Sequence, residues 1–508
     1  MKLNQLWKTR AETREPLPPA DADAEASRTG DHTWDPQKLE ELFHNCADVK
    51  IEEYALGDDR ERQPVYLIYC TGLTETMQVN RFVLPRLGAV LSDSNPAVDL
   101  DKKLELIRLD DEQDIVSHVF SGQMLVYIAQ TKVLYSMDLA MPPRRQPSES
   151  NTEVSIKGPK DGFVEEVGCN VALIRKRLPT KSLCYEQFRV GKRSNSKVAL
   201  LYIQDIASAD IIDEVRKRLK KIEIDAILGS SQLEKMIADY SGSLFPLLDF
   251  TGRPDYAADC LIHGRFVVIA DGSPNAIIGP ANLTLLLKSP EDAYFPFYYA
   301  SLGILLRLVG LVLSLLLPGF WTALSAFNVE QIPYPLVATI SLSRIGLPLP
   351  GPLEAVMMIT MFELFREAGE RLPKAVGQTV AVVGGIVVGD AAIRAGLAST
   401  TLLVVSAVTA VSSFTLVNQS LVGSVSLIRY FVLICSSVLG MYGFMLSTIA
   451  IIVYLSRLES FGVPYLAPLS PITWKDFMSA ITRKSWFAIN KRPEILSPKD
   501  ATRRGGAN

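Results

Sequence analysis

The groups best placed for chemistry are acids and bases set within apolar sequence. Glu363, Glu367 and Glu370 follow i, i+4, i+7 spacing, which puts three carboxylates on one face of a helix. Asp390 follows Gly-Gly-Ile-Val-Val-Gly near the end of an apolar run, and Arg307 lies well inside another. A charge in hydrocarbon costs several kcal/mol unless it is paired or hydrated. One chemistry that fits is an ion path, in which carboxylates attract cations. The other is acid–base pairing that holds helices together, with Arg307 and Arg366 as the bases. Arg307 reads as a pairing residue. For the acidic stripe the ion path, pairing and an interfacial helix with its acids in water all stay open. Gly384, Gly385 and Gly389, with Gly377, Ala391 and Ala392, make a small-residue stretch that lets helices approach closely.

No catalytic residue set, metal site or cofactor site is read. Gly191-Lys192-Arg193 is not a phosphate-binding Walker loop, because Glu186 stands where its first glycine belongs and no Ser or Thr follows the lysine. There is no GxSxG or HExxH motif, and 4 scattered histidines do not make a metal site. Six cysteines without paired spacing are expected as reduced thiols. A net charge of −3 argues against a nucleic-acid partner. The basic run Arg216–Lys221 reads as a solvated helix face, with anionic lipid headgroups as the competing reading.

The elements that must position these residues divide near residue 293. Before it charges are frequent; after it Leu308–Val329, Ala395–Ile428 and Tyr430–Ser456 carry none. A bilayer core needs about 20 apolar residues per helix. The spacing predicts an all-α membrane domain over 294–456 with four spans: Phe297–Leu317 ended by Pro318, Ala375–Ile393, Leu397–Val417 and Leu427–Leu455. Between the first two, prolines from Pro318 to Pro352 precede a charged helix, Leu353–Glu370, read as re-entrant or interfacial.

Residues 1–35 read as a disordered N-terminus. Residues 36–140 and 153–293 read as two soluble α/β domains joined by a linker over 141–152. Val65–Leu73 resembles Val198–Ile206, and Ser121–Leu139 resembles His263–Ala281. Either a strand–helix–hairpin unit is duplicated, or buried strands simply look alike. Residues 457–508 read as a basic cytoplasmic tail, with 9 Lys/Arg against 4 Asp/Glu. The N-terminus lacks an apolar signal segment, so both termini are expected in the cytoplasm.

Several stretches carry a family resemblance: GPKDGFVEEVGCNVALIRKRL (158–178), VGKRSNSKVALLYIQDIA (190–207), FPLLDFTGRPD (245–255), KSPEDAY (288–294), FELFREAGERLPKAVGQTVAVVGGIVVGDAA (362–392) and FGVPYLAPLSP (461–471). Together they resemble the A-subunit family of bacterial spore nutrient-germination receptors of the GerA type, collinearly over about residues 60–475. The resemblance implies a non-enzymatic receptor in the inner membrane of the endospore. Its implied partners are a transporter-like B subunit, which binds the nutrient, and a lipoprotein C subunit. It also implies a homo-oligomer, a pentamer, forming a nutrient-gated cation channel in membrane lipid. Departures are Ala129-Gln130 for an expected Asp-Gly, Val417-Asn418 for a Pro-Ser pair and Asp390 for Gln. A secondary transporter and a non-conducting scaffold subunit are the competing functions.

Overall fold

A computed structural model describes residues 34–57, 62–91, 106–109, 111–142, 155–372, 389–470, 472, 474–483 and 491–503. Nearly all of the expected disordered N-terminus, most of the linker and most of the Ala375–Ile393 span, with Gly384 and Gly385, lie outside the described residues.

The first soluble unit is a sheet of β1 (Val49–Leu56), β2 (Gln63–Cys70), β3 (Ile107–Leu109), β4 (Met124–Ile128) and β5 (Val133–Met137). Its strand order is β1-β2-β4-β5-β3, every neighbour antiparallel. Alternation along β2 explains its unbroken apolar run. Val65 and Leu67 join one buried cluster with Val83 and Leu87, while Ile68 and Cys70 join another with Ile115 and Val119 on the opposite face. The helical stretch after β2 passes through Pro85 with a π turn at Val79–Val83, one way of accommodating a residue that cannot donate its backbone hydrogen bond. In the β4–β5 hairpin, Lys132 takes the left-handed conformation, φ 54°.

The second unit has β6 (Leu183–Val190), β7 (Ser196–Ile203), β8 (Asp249–Thr251), β9 (Phe266–Ala270) and β10 (Ala276–Gly279). The order is β6-β7-β9-β10-β8, again antiparallel throughout. The two units therefore follow the same path through their sheets. The helix Ala209–Lys221 carries the basic run, whose arginines are engaged within the unit: Arg216 with Glu186 at 2.6 Å, and Arg218 with Asp239 at 2.7 Å and Glu214 at 2.8 Å.

The helical half contains Phe297–Phe327, Tyr334–Ser343, Gly351–Arg371, Thr400–Phe414 and Gln419–Arg457. Among the described residues two helices, of 31 and 39 residues, are long and apolar enough to cross a membrane, and Thr400–Phe414 is a shorter apolar helix within the expected third span; most of the expected second span lies outside the described residues. The first does not end at Pro318. Proline removes a single donor there, and apolar residues on both sides keep the helix going to Phe327. The last helix breaks at Gly440, φ 60° and ψ −140°, a conformation open to glycine; a Cβ there would stand 2.8 Å from the Phe327 side chain. At Gly319 a Cβ would meet Val432 at 2.6 Å, so these two helices touch through glycines outside the small-residue stretch picked from sequence.

Part of the stretch read as a tail from residue 457 packs against the second unit. Residues 458–467 return to the second unit, where Phe461 and Val463 join the core cluster containing Val198 and Tyr465 is fully buried in the cluster containing Ala199. Farther along, Arg492 Nε donates to Ile262 O at 2.9 Å and Lys499 N to Ile206 O at 2.9 Å. Apolar residues spaced through a basic segment give it a reason to pack rather than to hang free.

Candidate functional site at the junction of the second unit and the apolar helices

A short 3-10 turn, Pro290–Ala293, links the second unit to the Phe297–Phe327 helix. Ser289 and Asp292 cap it reciprocally, each side chain accepting from backbone at the other end of the turn. Its adjacent acids, Glu291 and Asp292, serve different partners. Glu291 accepts from Arg253 Nη1 at 2.5 Å, from Lys157 N at 3.0 Å and from Ser155 Oγ at 3.2 Å. Arg253 also grips Asp255, at 2.7 and 3.1 Å. Burial works against the Glu291 charge, but Arg253 and these donors outweigh it and hold its carboxyl below the usual range.

Asp292 receives Arg307 from the apolar helix, with Nη1–Oδ2 at 2.6 Å and Nη2–Oδ1 at 2.9 Å. Arg307 Nη1 also donates to Leu287 O at 3.2 Å. Arg307 thus meets an acid of the connecting turn, while Glu363 and Glu367 meet other arginines. It reaches backwards along the helix, since a long arginine side chain can carry its head toward the edge of the apolar zone.

Glu363, Glu367 and Asp390 of the helical half are paired too. Glu363 takes Arg366 at 2.5 Å on its own helix, with Arg429 of the last helix 3.8 Å away. Arg366 therefore neutralises an acid of its own helix, while Arg429 is the base that arrives from another. Glu367 pairs with Arg371 at 2.6 Å and Asp390 with Arg394 at 2.9 Å, both on the surface. Glu370 lies in the same Gly351–Arg371 helix. Gly389 packs closely: a Cβ there would lie 3.2 Å from Leu403 of the Thr400–Phe414 helix. Glu354 is buried and accepts from Ser399 N and, at 2.6 Å, from Ser399 Oγ, with Arg344 at 3.9 Å.

Between the two soluble units lies a cavity of about 560 Å³, lined by Trp34, Lys38, Glu41, Glu112, Lys181 and Gln204 among others. Within that lining Lys181 Nζ is already paired with the Glu112 carboxylate. Among the described residues no cluster of His, Cys, Asp and Glu has the arrangement of a metal site.

The model of the family described as "Bacillus/Clostridium GerA spore germination protein" matches residues 37–495. The chain belongs to the GerA spore germination family. It is 42% identical to spore germination protein XA of Bacillus anthracis over 469 residues, 91% of this chain and 95% of that one. It is 35% identical to spore germination protein KA of Bacillus subtilis (strain 168), over 91% of this chain and 86% of that one. A likeness to the crystal structure of the N-terminal domain of the A subunit of the Bacillus megaterium spore germinant receptor GerK3 covers 48% of this chain and 92% of that one, at 28% identity and a TM-score of 0.38.

Within this GerA-family chain the sequence reading missed four residues. Arg429 is the lone charge between two long uncharged runs, a signal that could have found it. Glu354 sits one turn into a helix otherwise read for its later acids. Asp48 and Arg175, which join the two soluble units through a buried ion pair, carry no such mark, because they lie 127 residues apart in unremarkable surroundings.

Proposed function

We propose that this GerA-family chain is the A subunit of a spore nutrient-germinant receptor, a non-enzymatic signalling protein embedded in the inner membrane of the endospore with both termini cytoplasmic. In this reading it assembles as a homo-oligomer, a pentamer, and forms a nutrient-gated cation channel alongside a transporter-like B subunit and a lipoprotein C subunit. Family membership supports the receptor role. The observation that supports the channel reading is the ionisable cluster Glu363, Arg366 and Arg429, where the charged Gly351–Arg371 helix meets the apolar Gln419–Arg457 helix, since ionisable residues among membrane segments mark ion paths. In a ring of subunits each acid becomes a ring of charge, with Glu363, Glu367, Glu370 or Asp390 as the candidates.

A second reading, a non-conducting scaffold, is favoured by the pairing of Glu363, Glu367 and Asp390 with arginines on this same chain. Cation flux from the purified oligomer in liposomes, with and without its partner subunits and nutrient, separates the two. Nutrient-dependent flux supports the channel; a well-formed oligomer that never conducts supports the scaffold.

A further inference from the structure

Asp249, at the start of β8, is only 5% exposed. Its Oδ1 accepts from Phe250 N at 2.9 Å and from Asn418 Nδ2 at 2.7 Å, and its Oδ2 accepts from Tyr256 Oη at 3.2 Å. Asn418 is the N-cap of the 39-residue Gln419–Arg457 helix, its Oδ1 accepting from Leu421 N at 2.9 Å. One amide side chain therefore spans two structures. Its oxygen holds the first turn of the long apolar helix, and its nitrogen holds a buried carboxylate of the soluble unit. A cavity of about 20 Å³ opens at this contact, walled by Asp249, Tyr256, Lys288, Asn418 and Gln419, enough for about one water.

The ionisable neighbours come from every side. Glu234 comes from the Ser230–Ile237 helix, Tyr256 and Cys260 from the Pro254–Ile262 helix, and Arg265 from the turn before β9. Lys288 lies in the cavity wall and Tyr465 comes from the returning C-terminal segment. The apolar helix presents only the uncharged Asn418 and Gln419 to the cavity. Burial pushes Asp249 up to about 6, against the lowering effect of its hydrogen bonds and Arg265. Burial first, and the Asp249 charge second, push Glu234 up to about 7.

We propose that Asp249 and Asn418 form a proton-sensitive latch between the second α/β unit and the start of the Gln419–Arg457 helix. The latch rests on the contact itself and not on conduction, so it stands or falls apart from the channel reading. Its sign follows from linkage. In this proposal, opening the latch lets water reach Asp249; the burial that ends then outweighs the opposing hydrogen bond from Asn418, so the proton binds more tightly when the latch is closed. That stabilisation is fully present below the ordinary carboxylate range and is lost as pH rises through about 6, with Glu234 extending the window to about 7. Acid closes the latch and neutral pH loosens it. A tenfold gain in proton affinity is a tenfold gain in the latch equilibrium, so a carboxyl carried from its ordinary range to about 6 responds by at most about a hundredfold.

The test is amide hydrogen exchange on the full chain in lipid nanodiscs, read at the segment holding Leu421 between pH 5 and 8 and corrected for intrinsic exchange. The expected result is that protection falls about tenfold or more as pH rises in the native chain. Asp249→Asn mimics the protonated state and is expected to keep protection high and flat. Asn418→Ser keeps a helix cap but is too short to reach Asp249, and is expected to flatten the response at low protection. A native response no steeper than that of Asp249→Asn overturns the latch. So does an unaltered response in Asn418→Ser, or a response abolished by Glu234→Gln but intact in Asp249→Asn.

Discussion

Arg175 Nε and Nη2 meet the two carboxylate oxygens of Asp48 at 2.9 Å each, joining the second soluble unit to the first. The same guanidinium donates through Nη1 to Thr180 O at 3.1 Å and Leu183 O at 2.8 Å, and lies 4.2 Å from the ring centre of Phe120. Burial disfavours its charge, and Asp48 outweighs that penalty.

Removing one partner of a buried pair leaves the other charge stranded, which costs about 3–5 kcal/mol. Asp48→Asn is therefore expected to lower the Tm of the full chain clearly. Asp48→Leu combined with Arg175→Met removes both charges and is expected to recover most of that loss. Thermal unfolding of single and double variants checks this; equal losses would show that stranded charge is not the cause.

The turn Pro290–Ala293 predicts a local effect. Asp292→Asn weakens the hold on Arg307, and a hydrogen bond to a charged group contributes about 1.5–3 kcal/mol. Amide exchange in the stretch 289–300 is expected to quicken by about tenfold or more, with β7 and β9 unchanged. Exchange that quickens equally in those strands would mean that the whole unit, and not the junction, depends on this pair.

The acids of the helical half are expected to divide. Glu363→Gln strands Arg429, which is 3% exposed, so this variant should assemble poorly. Asp390→Asn frees only the surface residue Arg394, so the proposed ion path expects intact oligomers with weaker cation preference. Size-exclusion profiles and reversal potentials in bilayers measure the two outcomes. Unchanged selectivity in Asp390→Asn and in the Glu363→Gln/Glu367→Gln variant, with assembly intact, would remove these residues from the mechanism.

None of the six cysteines forms a disulfide, and burial pushes the thiols of Cys46, Cys70, Cys184 and Cys260 up, that of Cys46 to about 11. The thiolate is the reactive species, so these four should resist iodoacetamide at pH 8 in the folded chain and react fully in guanidinium. Mass spectrometry of tryptic peptides reads the result, and rapid labelling of Cys46 in the native protein would contradict it.

The central strands were legible because each is a local pattern, whereas the outer strands β1, β3, β6 and β8 were not read. Val65–Cys70 and Val198–Ile203 are apolar without a break since their sheets are covered on both faces, and the structure only extends them to Gln63 and Ser196. The division near residue 293 was legible too, since long uncharged runs have few other uses. Helix ends were less so. Pro318 reads as a stop, yet one missing donor does not outweigh the apolar residues that follow it.

By itself the sequence determined the central strands of both sheets, the boundary between its charged and apolar halves and, through its motifs, the family. These depend on residues near one another along the chain, where period and composition act directly. Tertiary structure alone decided the partners of the charges: Arg307 with Asp292, Arg429 with Glu363, Arg175 with Asp48, and Asn418 with Asp249. An ion pair is set by where two side chains arrive in space, and the energy that selects it is the desolvation each charge suffers when left alone. Neither quantity is written in the spacing of Asp48 and Arg175, 127 residues apart, nor in that of Asp249 and Asn418, 169 residues apart.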